Sequence, residues 1–181
     1  MHRSSRLRSG GFTIIELLIV VVIIGVLAAI TVVAFSNVQT RARDSERRSE
    51  LSQMARVLGM YKVDKGGYPN TATGCPSGLN GSGSGWYNHE DGTATWPKSV
   101  MKCLTEAGYA NATIVDPSKA TYCANNDLTC HAYLINTCTA GTWLLVNMES
   151  IPQNSTFTDT MCGGSETWDT LYGVNYAIRI D

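Results

Sequence analysis

An uninterrupted apolar stretch near the start of the chain limits what this protein can fold into more than any other feature. It runs from Phe12 to Phe35, and from Leu17 onward it holds no charge and a single hydroxyl, that of Thr31. Because a helix of about 20 apolar residues crosses the hydrocarbon core of a bilayer, this stretch is long enough to span a membrane. One carboxylate, that of Glu16, interrupts it near its start. A carboxylate inside a membrane helix is costly, so its presence requires an explanation.

A short basic leader precedes the apolar stretch. Its positive charge favours the cytoplasmic side of a membrane and comes from Arg3, Arg6 and Arg8. An ordinary signal peptide or signal anchor is one interpretation of this pattern. However, the stretch is longer than the apolar core of a signal peptide, and the nearest Ala-x-Ala-like site, 34–36, is a poor one. A plain anchor also has no use for Gly11 or Glu16.

Gly10 and Gly11 end the leader, and Phe-Thr-Ile-Ile-Glu-Leu-Leu-Ile-Val follows at once. This string resembles the processing and assembly signal of type IV pilins and of the pseudopilins of type II secretion, and the close match extends from Gly10 to about Ala34. The resemblance implies that a membrane-embedded prepilin peptidase cuts between Gly11 and Phe12 and N-methylates Phe12. It also implies that Glu16 is the glutamate used in filament assembly.

Pilins of this family commonly carry a proline within the apolar stretch, which helps the helix to melt locally in the filament. Val33 occupies the corresponding place here. A β-branched helical segment unfolds less readily than one that contains a proline. The sequence therefore does not decide whether this helix melts locally on assembly.

The helix is predicted to continue well past the apolar stretch. From Val38 to Lys65 there is no proline, and apolar residues recur at three- and four-residue steps, namely Leu51, Met54, Leu58 and Tyr61. Gly66-Gly67-Tyr68-Pro69 then predicts the end of the helix. A helix from Phe12 to Lys65 would be on the order of 80 Å long, so only its second half can cover a domain, which predicts a stalk with a head.

The expected organisation has four parts: a removed leader (1–11), a transmembrane and filament-core helix (12–35), its amphipathic continuation (36–65), and a globular head (66–181). Charge is uneven between them. Residues 36–65 carry seven bases and four acids, whereas residues 66–181 carry four bases and ten acids. Because the head is acidic, direct binding of nucleic acid is not expected. The mixed charges from Arg41 to Glu50 predict solvated helix surface and contacts between subunits. Contact with anionic lipid is the alternative, but the leader places this segment outside the cytoplasm.

All six cysteines lie in the part that would be exported, which indicates disulfides. Six cysteines allow 15 pairings, and short loops favour Cys123 with Cys130, Cys75 with Cys103, and Cys138 with Cys162. A zinc site is the competing interpretation, but it lacks the paired C-x-x-C spacing of strong motifs. Its candidate ligands are Cys123, Cys130, His131 and Cys138.

The head is predicted to be an antiparallel sheet packed on the apolar stripe of the helix. A Gly/Ser-rich loop is expected at 70–96 and a short helix or turn at 97–109. Four segments have strand composition: Ala120–Ala124, Cys130–Thr137, Thr142–Met148 and Tyr172–Ile180. Thr139-Ala140-Gly141 is a plausible hairpin turn between the middle two. Together these elements predict an α+β fold stabilised by disulfides, and Asp116-Pro117 followed by paired strands resembles pilin heads.

No residues in the chain form a recognised catalytic signature, so an enzyme is not expected. His89-Glu90-Asp91 is expected to be exposed loop, and His131 a strand residue next to a disulfide. No cofactor is expected. Major pseudopilins bind calcium in their C-terminal loops, and that resemblance offers three oxygen ligands here, although solvated loop acids are the favoured interpretation. The candidates are Asp159, Glu166 and Asp169.

The resemblance implies a structural filament subunit. It would be a pilus subunit for adhesion, motility or DNA uptake or, alternatively, a type II secretion pseudopilin; a membrane-anchored binding module that never polymerises is a further alternative. In the filament, Glu16 of an incoming subunit would pair with the methylated Phe12 of a docked one, although its own Phe12 is also within reach. The expected partners are other copies of the chain, prepilin peptidase, the pilus or secretion machinery, and the bilayer before assembly. The precursor would cross the inner membrane once, with the leader cytoplasmic and the head outside, before it joins a cell-surface filament.

Overall fold

A computed structural model describes residues 11–69, 74–75, 85–89, 98–111, 114–152, 157–163 and 167–181. The chain divides into two compact units, Met1–Gln39 and Thr40–Asp181. The elements, in chain order, are α1 (Ile14–Lys65), β1 (Gly85–Trp86), α2 (Val100–Glu106), β2 (Leu134–Cys138), β3 (Gly141–Val146), a 3-10 turn (Asp159–Cys162), α3 (Trp168–Tyr172) and β4 (Tyr176–Arg179). The described part of the chain is therefore α+β, with a long N-terminal helix followed by an antiparallel sheet.

Helix α1 ends where the paired glycines predict. Lys65 is its last residue, and Gly66 follows with a φ of 76°. The Gly66 N–H donates to the carbonyl oxygen of Lys62 at 2.9 Å, which satisfies one of the last carbonyls of the helix. A residue with a side chain would be strained at this φ, so glycine is the residue that closes the helix here.

The sheet has four strands in the order β1-β2-β3-β4, and every neighbouring pair is antiparallel. Strands β2 and β3 form the predicted hairpin, in which Cys138 pairs with Gly141 across a two-residue turn. Strand β1 lies inside the segment predicted to be loop, and Trp86 pairs there with Leu134. The loop prediction was wrong at this point, since two residues are too few to give a strand signal in the sequence.

Two of the predicted strands differ from the structure. Residues Ala120–Ala124 form no strand, because a disulfide from Cys123 closes a short loop and turns the chain back. The predicted strand Tyr172–Ile180 is shorter, since Tyr172 instead ends α3 and Gly173 caps that helix at a φ of 68°. The other two predicted strands are present with shifted ends, as β2 and β3.

The sheet is buried on both faces within the unit Thr40–Asp181. One face packs on the apolar stripe of α1, as predicted, and its core joins that stripe to Ile135, Leu144 and Val146. The opposite face carries a second core built around Leu134, Leu145 and Phe157. Each fully buried leucine contributes roughly 1.5–3 kcal/mol. Burial on both faces explains why β3 reads as a continuous apolar run rather than an alternation.

Candidate functional site: the N-terminal segment and the buried arginine

The start of α1 is a capping box. Thr13 precedes the first helical residue, and its side-chain oxygen accepts from the Glu16 N–H at 3.3 Å. In return, Glu16 Oε2 accepts from the Thr13 N–H at 2.8 Å and from the Thr13 hydroxyl at 2.7 Å. This reciprocal pattern satisfies N–H groups that have no partner within a helix. Glu16 therefore has a role within its own chain that the analysis of the sequence did not identify, although the Thr-x-x-Glu spacing carries that signal.

The predicted cleavage point lies just before this box. Residues 11–13 are outside the helix, and Phe12 is 88% exposed. A side chain built on Gly11 would meet no atom within 4 Å. The Gly11–Phe12 peptide bond is thus in a non-helical, exposed stretch, which is the geometry that a protease needs in order to bind a backbone.

The apolar stretch forms helix without any cover from the rest of the chain. Every large apolar side chain described between Phe12 and Val38 is exposed. The one hydroxyl in its middle, that of Thr31, donates to the carbonyl oxygens of Leu27 and Ala28, each at 2.9 Å. By length and composition α1 is long and apolar enough to cross a membrane. A helix that is hydrophobic all round is typical of one buried in a protein core or in a membrane. The backbone remains helical through Val33.

A second cluster of charges lies in the other half of α1, where Arg47 is fully buried. Its guanidinium contacts three carboxylates: Asp116 at 2.6 Å, Asp44 at 2.7 Å and Glu149 at 2.8 Å. Arg43 binds Glu149 as well, through Nε to Oε1 at 2.8 Å and through Nη2 to Oε2. The prediction that the Arg41–Glu50 segment is solvated was therefore wrong for this face of the helix. Sequence spacing could not reveal the partners, because Asp116 and Glu149 are distant in the chain.

The same cluster fixes the chain that follows β3. Asp44 accepts from the backbone N–H of Glu149 at 3.0 Å and from that of Ser150 at 2.7 Å. Asp116 accepts from the Ser118 N–H at 2.7 Å. The three acids are therefore held by donors besides Arg47, and such additional bonds are what makes a buried ion cluster tolerable.

The charges in this cluster shift one another's titration. Burial alone lowers the pKa of Arg47, but the hydrogen bonds and charge of Asp116, followed by those of Glu149 and Asp44, outweigh it and raise that pKa. The hydrogen bond from Arg43 lowers the pKa of Glu149 from 4.5 to about 2. Burial raises the pKa of Asp44, yet the hydrogen bonds from Ser150, Glu149 and Arg47 prevail and lower it. Arg47, Glu149 and Asp44 therefore remain charged at neutral pH.

The six cysteines form three disulfides, in the pairs that short loops favour. The Cα–Cα distances are 6.0 Å for Cys75–Cys103, 5.5 Å for Cys123–Cys130 and 5.3 Å for Cys138–Cys162. A zinc site that uses Cys123, Cys130 and Cys138 is incompatible with these bonds, since thiolates and not disulfides ligate zinc. His131 lies before β2 rather than in a strand, and its Nδ1 is 2.7 Å from the Asn147 carbonyl oxygen.

The remaining predicted sites fall largely outside the described residues. Glu166, Glu90, Asp91 and the side chain of Asp159 lie there, so the calcium set with Asp169 stays a prediction. Within the residues that the structure describes, no group of three or more His, Cys, Asp and Glu side chains is placed to hold a metal. His89 lies against Tyr122, with ring centroids 4.5 Å apart.

Comparison with known proteins points to the N-terminal segment. The family described as "Prokaryotic N-terminal methylation motif" matches residues 6–32. The type II secretion system core protein G of Pseudomonas aeruginosa is 38% identical over 69 residues, which is 38% of this chain and 49% of that protein. The fimbrial protein EcpC of Eikenella corrodens is 40% identical over 73 residues, 39% of this chain and 48% of EcpC.

A third relative is the type IV major pilin protein PilA of Myxococcus xanthus, which is 40% identical over 65 residues, 36% of this chain and 30% of PilA. This chain thus spans about half, or less, of the length of the curated relatives that it matches. No solved structure gives a significant match. The N-terminal part of the chain therefore carries the prokaryotic N-terminal methylation motif and is similar to type IV pilins and to type II secretion core proteins G.

Proposed function

We propose that this protein is the structural subunit of a type IV pilus-like filament. It is made as a single-pass membrane precursor with the leader in the cytoplasm, is cut between Gly11 and Phe12, and is methylated on Phe12. One observation carries the proposal. A methylation motif stands at the head of a helix whose apolar side chains have no cover within the described chain. Lipid covers them before assembly, and other copies cover them in the filament.

Cleavage supplies the charge that makes assembly specific. It leaves an ammonium on Phe12, four residues before the Glu16 carboxylate. In a medium of low dielectric each charge makes the other less costly. Glu16 Oε2 already accepts two bonds from Thr13, but a carboxylate has about four acceptor positions. The capping box and a bond to the Phe12 ammonium of a neighbouring subunit can therefore coexist on the same side chain.

A pseudopilin of a type II secretion system is the second candidate. The observation that favours it is the similarity to the type II secretion system core protein G of Pseudomonas aeruginosa. Both functions use the same processed helix. The two functions predict different defects when the gene is deleted. A pilus subunit would be needed for surface filaments, whereas a pseudopilin would be needed for the release of secreted proteins.

Mass spectrometry of the chain purified from its native membrane tests processing directly. We expect a polypeptide that begins at Phe12 and is heavier by one methyl group. Only the precursor, which still carries the leader, should bind prepilin peptidase. A chain that retains Met1 would instead be a membrane-anchored binding module.

The pairing in the filament is tested with Glu16→Ala and its matched control Glu16→Asp. We expect Glu16→Ala to be cleaved normally but to lower the yield of sheared filaments at least about tenfold, since an ammonium is left unpaired in an apolar setting. Glu16→Asp keeps the charge and should retain part of the yield. Normal filaments from Glu16→Ala would refute a pairing between subunits.

A further inference from the structure

Glu50 lies next to the charge cluster around Arg47 but does not share its arginine. It is half-buried on α1, three residues after Arg47. Among the described residues Glu50 forms no ion pair, whereas the three acids of the cluster each contact Arg47. The Glu50 carboxylate instead accepts a hydrogen bond from the hydroxyl of Tyr133, which is a neutral group. Glu50 therefore carries a negative charge that no ion pair in the described chain balances.

The donors of Arg47 are already engaged by other acids. Its Nε donates to Asp116 Oδ2 at 2.6 Å, and its Nη2 donates to Asp116 Oδ1 at 3.4 Å. Its Nη1 contacts Asp44 at 2.7 Å and Glu149 at 2.8 Å. Of the five N–H donors of a guanidinium, these contacts use most. Arg47 therefore cannot bind Glu50 in the same bidentate way without giving up one of its present partners.

The groups that face Glu50 come from two parts of the chain. From α1 they are Glu46 and Arg47, and from the chain before β2 they are Asp116 and Tyr133. Burial and the two acids disfavour a charge on Glu50, whereas the Tyr133 hydroxyl and Arg47 favour it. Burial is the largest of these effects, so the pKa of Glu50 is raised above 4.5.

Tyr133 suits both protonation states of Glu50. Its side chain is buried, and its hydroxyl donates to the Glu50 carboxylate. A protonated carboxyl group still has an oxygen that can accept this bond. Proton uptake thus removes the charge of Glu50 without leaving the Tyr133 hydroxyl unpaired, and an unpaired buried hydroxyl would be costly.

We propose that Glu50 and Tyr133 form a proton-binding site that makes the unit Thr40–Asp181 more stable at mildly acidic pH than at neutral pH. Protonation of Glu50 leaves three carboxylates instead of four to share Arg43 and Arg47. Because Glu50 belongs to α1 and Tyr133 leads into β2, the site links the attachment of the helix to the sheet with pH. The inference goes beyond filament assembly and does not depend on it.

The direction of the pH dependence follows from the preference of the folded chain for the proton. Glu50 binds its proton more tightly in the folded than in the unfolded chain. Its contribution to stability is therefore complete below about pH 4.5 and is lost as pH rises through the raised pKa. Asp44 and Glu149, whose pKa values are lowered, lose their stabilising effect as pH falls below about 4.5. The two effects have opposite signs and occur in different pH ranges.

Urea unfolding of the full chain in a non-ionic detergent, repeated from about pH 4.5 to 8, tests the site with Glu50→Gln. Glutamine can still accept the bond from Tyr133 but carries no charge. At about pH 7.5 its unfolding equilibrium constant should be at least about threefold smaller than that of wild type, and the difference should vanish toward pH 4.5. The control Glu46→Gln removes an exposed charge one turn earlier and should keep the wild-type pH dependence. A Glu50→Gln variant no more stable than wild type at pH 7.5, or a difference that does not change with pH, would overturn the proposal.

Carbon NMR of the labelled Glu50 carboxyl group, in the full chain in detergent, measures proton binding directly. Its titration midpoint should lie above pH 4.5 in the wild type. In Tyr133→Phe the midpoint should move further upward, because the hydrogen bond from Tyr133 favours the charged form of Glu50. A purely structural role of Tyr133 would leave the midpoint in place. A Glu50 that titrates at or below pH 4.5, or a midpoint that Tyr133→Phe leaves unchanged or lowers, would contradict the proton-binding site.

Discussion

Replacing Arg47 by methionine is the sharpest test of the buried charge cluster. The substitution keeps an unbranched side chain of similar length but leaves its acidic partners without the central cation. Removing one partner of a buried ion pair typically costs 3–5 kcal/mol. The lower end of this range of free energies applies here, because Glu149 keeps its bond to Arg43 and Asp44 keeps two backbone N–H donors. We expect a loss of about 3 kcal/mol, mostly from Asp116, out of a typical domain stability of about 5–15 kcal/mol.

The measurement is urea unfolding of the full chain in a non-ionic detergent, followed by tryptophan fluorescence. All four tryptophans lie in the head region beyond residue 80, so the signal reports on that region and not on the apolar helix. Arg41→Met is the matched control. Arg41 is exposed, and its substitution should change stability by less than about 0.5 kcal/mol.

The dependence on pH separates a charge effect from a packing effect. In the variant, the buried acids carry charges without their main partner, so protonation relieves them. The loss relative to wild type should therefore shrink as pH falls from 7 toward about 4.5. A loss below about 1 kcal/mol at pH 7, or one that does not change with pH, would refute the assignment of Arg47 as the counter-ion of this cluster.

Three further predictions concern the unit Thr40–Asp181. Because the pKa of Glu149 is lowered from 4.5 to about 2, its stabilising effect is complete above pH 4.5 and is lost as pH falls toward 2, which acid unfolding monitored by circular dichroism would detect; Glu149→Gln should flatten that transition. Gly59→Ala should raise the unfolding free energy by about 0.5–1 kcal/mol, since a Cβ there meets nothing within 4 Å. Gly141→Ala should lower it by about 1–3 kcal/mol, because residue 141 has a φ of 128° and its Cβ would lie 2.6 Å from Asp181. A urea midpoint at or below that of wild type for Gly59→Ala, or at or above it for Gly141→Ala, would contradict the respective prediction.

Local signals in the sequence were enough to predict the helix, its end and the central hairpin. The paired glycines after Lys65 and the two-residue turn before Gly141 each act within a few residues, so composition reports them directly. The same holds for the stripe from Leu51 to Tyr61, whose spacing shows that one face of α1 is buried. These features confirm the predicted α+β fold.

Features that depend on distant residues could not be predicted in this way. Ala120–Ala124 has the composition of a strand, but the Cys123–Cys130 disulfide requires a turn there instead. Strand β1 forms through the pairing of Trp86 with Leu134 in β2, a residue 48 positions later in the chain. Arg47 looked like one of several surface arginines, since nothing in its neighbourhood indicates that an aspartate 69 residues later lies against it.

The same distinction between local signals and distant contacts applies to the candidate site. The capping box between Thr13 and Glu16 is local and its Thr-x-x-Glu spacing is visible in the sequence, whereas the family resemblance points to Glu16 only as a partner for Phe12. The fixed position of Glu149 is not local at all. It results from the contacts of Arg43, Arg47 and Asp44 with a segment that follows them by more than 100 residues.

The buried charge cluster and the loop closed by the Cys123–Cys130 disulfide are connected through very few residues. Glu149 is bound by Arg43 and Arg47, and Asn147, two residues earlier, donates its side-chain N–H to the backbone of Leu128. A buried ion cluster is often no more stabilising than a well-packed apolar one, so stability alone does not explain why a protein keeps it. The position of the chain explains it, because several directional hydrogen bonds fix where residues 147–149 leave the sheet. We infer that the cluster fixes where residues 147–149 leave the sheet and, through Asn147, holds the loop closed by the Cys123–Cys130 disulfide in place.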